Sequence, residues 1–214
     1  MKNPNKFSFI NPKKWPFFYG YMLLFFGSVG ILFSVPGQTV GVSVFTDPIK
    51  NALHLSRNQF SNAYMIGTLL SAFFITKAGF LFDKFGARII AFFAVLGLSF
   101  AVFSMSFLER VNVFIFSVFN TKSWVFTFVL LSLLFFLLRF FGQGVLTMAS
   151  RNMVMMWFNK NRGKINSISS ITISLGFSSA PILLNFLNDT YGWELSWQIL
   201  GVMLVCFSFV VIQF

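Results

Sequence analysis

Long apolar runs, separated by short stretches that carry charge, constrain this chain more than any other feature. Six runs reach about 20 residues, the length that an α-helix needs to cross roughly 30 Å of hydrocarbon. Since lipid offers no partner to free backbone groups, each run is predicted to be a helix. The runs are Phe17 to Phe45, Phe60 to Ala78, Ile89 to Phe107, Trp124 to Ala149, Ile165 to Asn188 and Leu195 to Phe214.

The composition excludes an ordinary soluble domain. Hydrophobic residues make up 57% of the chain and charged residues 10%, whereas a soluble domain carries about 25% charged residues. The formal charge of +11 comes from basic residues at the ends of apolar runs, so nucleic acid is not a predicted partner. We predict a multi-pass integral membrane protein whose surroundings are the lipid bilayer.

The basic residues also predict an orientation. With a cytoplasmic N-terminus, eleven Lys and Arg residues fall on the cytoplasmic side and four on the other side, which satisfies the positive-inside rule. Residues 1–16 are then a cytoplasmic tail and residues 17–214 a six-helix transmembrane bundle. The predicted location is the bacterial inner (plasma) membrane.

A charged turn, GFLFDKFGARII, joins the second and third runs. Gly79 and Gly86 permit close backbone approach and positive φ, and Asp83 can accept backbone N–H groups or face Lys84 and Arg88. The pattern of this string, Gly-x-Leu-x-Asp-(Arg/Lys)-x-Gly-x-(Arg/Lys), resembles the signature loop of the major facilitator superfamily.

The resemblance implies an all-α membrane fold in which six helices form one half of a transporter, as a 3+3 inverted repeat. It also implies alternating access, in which this bundle rocks against a second one. In the family the acid of the signature loop contacts the opposite half, so Asp83 is expected to meet that bundle. Because the chain stops at Phe214 inside an apolar run, we expect an amino-terminal half. Its partner would be a missing C-terminal half or a second copy.

Arg139 lies about halfway along the fourth run, within LLRFFGQG. A cation at that depth is costly and normally faces a bundle interior or a water-filled cavity. The spacing of Arg139, Gly142 and Gly144 resembles a second signature of the same superfamily. A fixed cation in a low-dielectric cavity would attract a small organic anion. Alternatively, Arg139 hydrogen-bonds carbonyls of neighbouring helices and only fixes their packing.

Other polar residues interrupt the runs. In SVPGQTVG of the first run, Pro36 and Gly37 loosen the helix beside two polar side chains, and broken helices near the midplane indicate a transporter site. A kink that only shapes the outer vestibule is an equal alternative. The predicted substrate-binding residues are Arg139, Gln38, Thr39, Tyr64 and Gln143.

The strings FYGYMLLFFGSVG and PGQTVGVSVFTD look like the monocarboxylate and oxalate/formate porter branch of the superfamily. We therefore predict a secondary active transporter of a small organic anion. The alternatives are a half-transporter that works as a dimer, and a non-transporting six-span membrane structural protein. No catalytic residue, cofactor or metal site is predicted, since the motifs HExxH and GxSxG, a Walker loop and a cysteine cluster are absent from the sequence.

The segment from Leu108 to Ser123 fits no run. It contains VFIFSVF, which is apolar but too short to cross the bilayer. We predict an interfacial or re-entrant piece, and a β-hairpin cap is the alternative.

Overall fold

The computed structural model describes residues 19–119, 124–158 and 162–213, which are helical almost throughout. A 3-10 turn (Val35–Gly37) joins the first two helices, and a π-helical segment (Arg139–Leu146) joins the seventh and eighth. These ranges contain no strand, as predicted, and the predicted tail at residues 1–16 lies outside them. The helices are α1 (Tyr19–Leu32), α2 (Thr39–Val44), α3 (Thr46–Ala52), α4 (Arg57–Phe85), α5 (Ala87–Ser106), α6 (Leu108–Phe119), α7 (Trp124–Leu138), α8 (Thr147–Trp157) and α9 (Arg162–Val211).

Four helical stretches of the described residues are long and apolar enough to cross a membrane, so the predicted count of six is not confirmed. These stretches are α4, α5, the continuous rod Trp124–Trp157 and α9. The first predicted run is broken at Pro36, which leaves α1 with 14 residues. The last two predicted runs share α9, in which Gly192 alone has non-helical angles (φ 76°, ψ 168°) and two helical segments meet.

The charged turn is shorter than the sequence predicts. Helix α4 continues through Gly79 to Phe85, and α5 begins directly after Gly86. Gly86 has φ 85°, so the predicted positive φ is confirmed there, because only glycine adopts it without strain. It is wrong for Gly79, which lies inside a helix and has no atom within 4 Å of where a Cβ would stand. The reversal of the chain therefore depends on Gly86.

The segment after α5 is the helix α6, so a β-hairpin cap is wrong for its described residues. At 12 residues the helix is too short to cross the membrane. Its Asn112 is buried and accepts a hydrogen bond from Thr127 Oγ1 of α7 at 2.6 Å. This bond holds α6 against the first turn of α7.

Helix α5 is the centre of the core. Its Leu98 and Val102 are fully buried, as are Phe135 of α7 and Trp197 of α9. Ser99 Oγ donates to a backbone carbonyl of α9, that of Gly201, at 2.9 Å. The π-helical segment packs against both α4 and α5, so the core fixes the position of the residues that follow α7.

The start of α4 is defined by a capping box. Gln59 N donates to Ser56 Oγ at 3.2 Å, and Ser56 N donates to Gln59 Oε1 at 2.8 Å. These two bonds satisfy backbone groups that the first helical turn leaves free. The cap therefore sets Arg57 as the first residue of α4.

Candidate functional site

Three of the five predicted substrate-binding residues meet, although they come from three different elements. Arg139 Nη1 donates to Thr39 Oγ1 at 3.2 Å, and the Thr39 hydroxyl hydrogen-bonds the Tyr64 hydroxyl at 2.9 Å. The Arg139 guanidinium carbon lies 5.2 Å from the centre of the Tyr64 ring, a cation–π contact. We call these three residues the arginine triad.

Local structure places each member of the triad. Thr39 is the first residue of α2, so the break that Pro36 introduces brings its hydroxyl toward the bundle. The Tyr64 ring stands edge-on to Phe135 at 5.2 Å between centroids, which orients its hydroxyl. Arg139 opens the π-helical segment. The triad is reached from one side, since Thr39 is exposed while Arg139 is 7% exposed.

Arg139 forms no ion pair in the described part of the chain. The ion pairs there join Lys50 to Asp47 and Arg110 to Glu194, away from the triad. The hydrogen bond and charge of Lys50 hold the pKa of the Asp47 carboxyl below its usual value. A guanidinium stays charged at any ordinary pH. The triad therefore holds a buried cation whose protein partners are neutral.

The π-helical segment passes very close to the 3-10 turn. A Cβ on Gly37 would stand 2.7 Å from Gly142 Cα, and it would overlap the Leu138 carbonyl. Gly142 is restricted in the same way, since its Cβ would stand 2.7 Å from Gly37 Cα. Two irregular backbones thus touch at a point two residues before Thr39 and three residues after Arg139. Wide helical turns of this kind are frequent at functional sites.

Gln38 belongs to a different polar cluster. Its side-chain Nε2 donates to Ser34 Oγ at 3.0 Å and to Thr147 Oγ1 at 3.2 Å, and it is 9% exposed. Ser34 Oγ in turn donates to the Ile31 carbonyl at 2.6 Å. This cluster ties the broken part of the first run to the start of α8.

We predict that Gln38→Ala lowers the free energy of unfolding by about 1 kcal/mol, because the change removes a donor from the buried Ser34 hydroxyl and the half-buried Thr147 hydroxyl. Hydrogen bonds between membrane helices contribute about 0.6–1.7 kcal/mol. The matched control is Gln143→Ala, since Gln143 is exposed on the π-helical segment. The measurement is the thermal unfolding midpoint of both proteins in detergent. An equal midpoint in the two variants would contradict the assignment.

Ser34 and Thr147 are partners of Gln38 that were not predicted from the sequence. The signal for Ser34 was its position four residues before Gln38, on the same side of a helical turn. Nothing in the sequence pointed to Thr147, which lies 109 residues from Gln38 and is brought near it by the packing of the 3-10 turn against the π-helical segment.

The predicted signature-loop residues lie at the opposite end of α4 from its capping box. Asp83 and Lys84 are exposed, and Arg88 is half-buried in the first turn of α5. Asp83 forms no ion pair with Lys84 or Arg88 within the described ranges. Instead Asp83 and Gly86 line a cavity of about 430 Å³ with Asn152 and Arg162. The loop thus faces the junction between α8 and α9.

A larger cavity, of about 680 Å³, lies between the α1 end of the bundle and α9. None of the five predicted substrate-binding residues lines it, although Pro36 and Val35 of the 3-10 turn do. The cavity is thus lined by the end of α1 and the 3-10 turn, whereas the triad takes Thr39 from the start of α2.

Comparison with known proteins identifies a family. A family model described as Major Facilitator Superfamily matches residues 17–214. A comparison with curated proteins gives no match. The matched range contains the arginine triad, the Gln38 cluster and the charged turn, and it confirms the resemblance that the turn indicated.

Proposed function

The chain belongs to the Major Facilitator Superfamily, and we propose that it carries a small organic anion across the membrane by alternating access. Members of this family are membrane transporters and generally not enzymes. The chain is thus an integral membrane protein whose apolar helices cross the bilayer. The proposed substrate class, a small organic anion, is inferred from the chemistry of the arginine triad.

One observation carries the proposal: Arg139 is buried, and its partners among the described residues are all neutral. A buried charge without a counter-ion is strongly unfavourable, and evolution usually retains one in a membrane segment for function. Thr39 and Tyr64 orient the guanidinium but do not neutralise it. A substrate carboxylate would supply the missing charge and accept two parallel hydrogen bonds from the planar guanidinium.

The three members of the triad have different proposed roles. Arg139 attracts and binds the anion, while the Thr39 hydroxyl and the Tyr64 ring hold the guanidinium. Because the Thr39 and Tyr64 hydroxyls share one hydrogen bond, one of them can donate to a second substrate oxygen. Gln143 is exposed four residues after Arg139 and is proposed as an outer contact. For Gln38, direct contact with substrate stays a prediction, because its amide nitrogen already donates to two hydroxyls.

Alternating access requires a second bundle that faces this one. We propose that a C-terminal half or a second copy supplies it, with Asp83 at the contact. Exposure of Asp83 and Lys84 supports this part of the proposal, since neither carries an ion pair in the described residues. A cytoplasmic N-terminus is supported by the distribution of basic residues, and the bacterial inner membrane stays a prediction.

The proposal names a chemical class and not one compound. Support for the monocarboxylate and oxalate/formate porter branch comes only from two short strings near the first run. A non-transporting structural role is the second candidate, favoured by the contacts of Arg139 with Thr39 and Tyr64, which join three helical elements. The two differ in whether any solute crosses the membrane.

We predict that vesicles containing the complete gene product accumulate labelled small mono- or dicarboxylates and not organic cations of the same size. The physical reason is that a fixed cation in a low-dielectric site attracts anions and repels cations. The measurement is initial uptake with an imposed substrate gradient, compared with protein-free vesicles. Uptake of cations in preference to anions would overturn the substrate class. Correctly inserted protein without uptake of any tested solute would favour the structural role.

A further inference from the structure

A short string of residues occurs twice in the chain, and each copy ends in a glycine turn. The first copy, FLFDKFG, belongs to the charged turn, and the second, FLNDTYG, follows about half the length of the chain later. Gly86 has φ 85° and ψ 167°, and Gly192 has φ 76° and ψ 168°. Glycine alone adopts these angles without strain. No other glycine has positive φ in the ranges that the structure describes. The same sequence pattern thus produces the same rare turn twice.

The side chains of the two copies are also alike. Asp83 and Asp189 each lie three residues before the glycine of their copy. Both acids are exposed, and neither forms an ion pair among the described residues. The aromatic residue that precedes each glycine is exposed to a similar degree, 46% for Phe85 and 51% for Tyr191. Each copy therefore presents a carboxylate and an aromatic ring on the surface of the bundle.

The two glycine turns lie at opposite ends of α5. Gly86 directly precedes the first residue of this helix. At the other end, Gly192 lines a cavity of about 540 Å³ with Phe107, which directly follows the last residue of α5. There Arg110 of α6 also forms an ion pair at 3.3 Å with Glu194, two residues after Gly192. With 20 residues, α5 is about 30 Å long, the thickness of the hydrocarbon layer. The turns therefore belong to opposite sides of the membrane, the Gly86 side and the Gly192 side.

The spacing between the two copies also holds for the helices around them. The distance in sequence from the start of α1 to the start of the rod Trp124–Trp157 equals the distance from the start of α4 to the start of α9. It differs by one residue from the distance between the two glycines. An inverted repeat has such regular spacing, and its two copies face opposite sides of the membrane. Asp83 and Asp189 thus occupy equivalent positions of one repeat.

We propose that Asp189 binds the second bundle on the Gly192 side of the membrane, as the counterpart of Asp83 on the Gly86 side. This inference rests on the proposed function, in which a second bundle faces this one and Asp83 lies at the contact. An exposed carboxylate without an ion pair is complementary to a basic side chain, which is the group that we expect opposite Asp189. Alternating access closes one side while the other is open. The two acids therefore make their contacts in opposite conformations of the transporter.

The test measures from which side of the membrane the centre of the complete protein can be reached. The native cysteines, Cys206 among them, are replaced by alanine, and Gln143→Cys is the reporter. Gln143 is exposed on the π-helical segment, four residues after Arg139. A membrane-impermeant maleimide is added to one side or to the other side of sealed vesicles of known orientation. The two labelling rates report how much of the protein is open to each side.

We expect Asp83→Asn and Asp189→Asn to shift these rates in opposite directions. Asp83→Asn removes a contact that closes the Gly86 side, so labelling from that side should rise and labelling from the Gly192 side should fall. Asp189→Asn should do the reverse, and Asp189→Glu, which keeps the charge, should shift the rates less. Each shift is expected to be about two- to fivefold, the size that one exposed charge pair gives. The matched control is Asp47→Asn, because the exposed Asp47 carboxylate already pairs with Lys50 at 2.8 Å; both rates should stay unchanged.

Either of two results would overturn the role of Asp189 alone. The first is that Asp189→Asn labels like Asp47→Asn from both sides, and the second is that it shifts the rates in the same direction as Asp83→Asn. Labelling from one side only, in the parent protein and in every variant, would contradict alternating access itself and this inference with it. Because the labelling needs no substrate, an error in the proposed substrate class leaves these results unchanged and is detected separately by uptake. Thermal midpoints of all variants are measured in parallel.

Discussion

Arg139→Gln is expected to lower the initial rate of anion uptake about 10- to 100-fold, because hydrogen bonds to charged groups contribute about 1.5–3 kcal/mol and each 1.4 kcal/mol is tenfold. The glutamine retains a donor for Thr39 but has no charge to attract a carboxylate. Arg139→Lys keeps the charge and loses the planar fork, so its rate should fall between those of the parent protein and Arg139→Gln. The measurement is uptake at limiting substrate concentration, normalised to inserted protein.

The control for this prediction is Arg57→Gln, which removes an exposed arginine at the start of α4 and should leave uptake unchanged. Stability separates a binding role for Arg139 from a packing role. Because Arg139 is buried and has no counter-ion in the part of the chain that the structure describes, replacing it should leave the thermal midpoint equal or higher. A lower midpoint accompanied by unchanged uptake per folded protein would contradict the proposed binding role and favour the packing alternative.

The sequence predicted the helices well where apolar length alone decides them. The predicted third run, Ile89 to Phe107, differs from α5 by one or two residues at each end. Polar and charged residues at a helix end are harder to place. The pattern of the charged turn treated Gly79 and Gly86 alike, but Gly79 continues a helix and only Gly86 has positive φ. A single sequence offers no local signal that distinguishes the two.

The sequence was enough to select the residues of the arginine triad but not to predict that they contact one another. Polar side chains in apolar runs are few, so Arg139, Thr39 and Tyr64 could be selected by type and depth. Their meeting depends on the break at Pro36 and on the π-helical segment. A π-helical segment has no composition signature, since its wider turn is stabilised by tertiary packing. The separation of Gln38 from its neighbour Thr39, each into a different cluster, is likewise a product of packing.

At the contact between Gly37 and Gly142, the space between two backbones restricts which amino acid can stand there. Gly37 is not among the positive-φ residues, so its backbone does not require glycine for its angles. What it requires is space, because a Cβ would overlap the Leu138 carbonyl and stand 2.7 Å from Gly142 Cα. Both neighbours are backbone atoms of a packed segment and cannot rotate away as a side chain would. Any side chain at Gly37 must therefore move the 3-10 turn away from the π-helical segment.

We predict that Gly37→Ala lowers the free energy of unfolding by about 1–3 kcal/mol, the usual cost of overpacking a filled interior. Gly142→Ala should have a similar effect, because the contact is reciprocal. The matched control is Gly79→Ala, which adds a methyl group where no atom lies within 4 Å. Since glycine within a helix costs about 0.5–1 kcal/mol relative to alanine, this variant should be as stable as the parent or slightly more stable. The measurement is the thermal unfolding midpoint of each purified variant. If Gly37→Ala and Gly79→Ala unfold at the same temperature, the two backbones do not approach as closely as described, and the position of Thr39 beside Arg139 loses its structural basis.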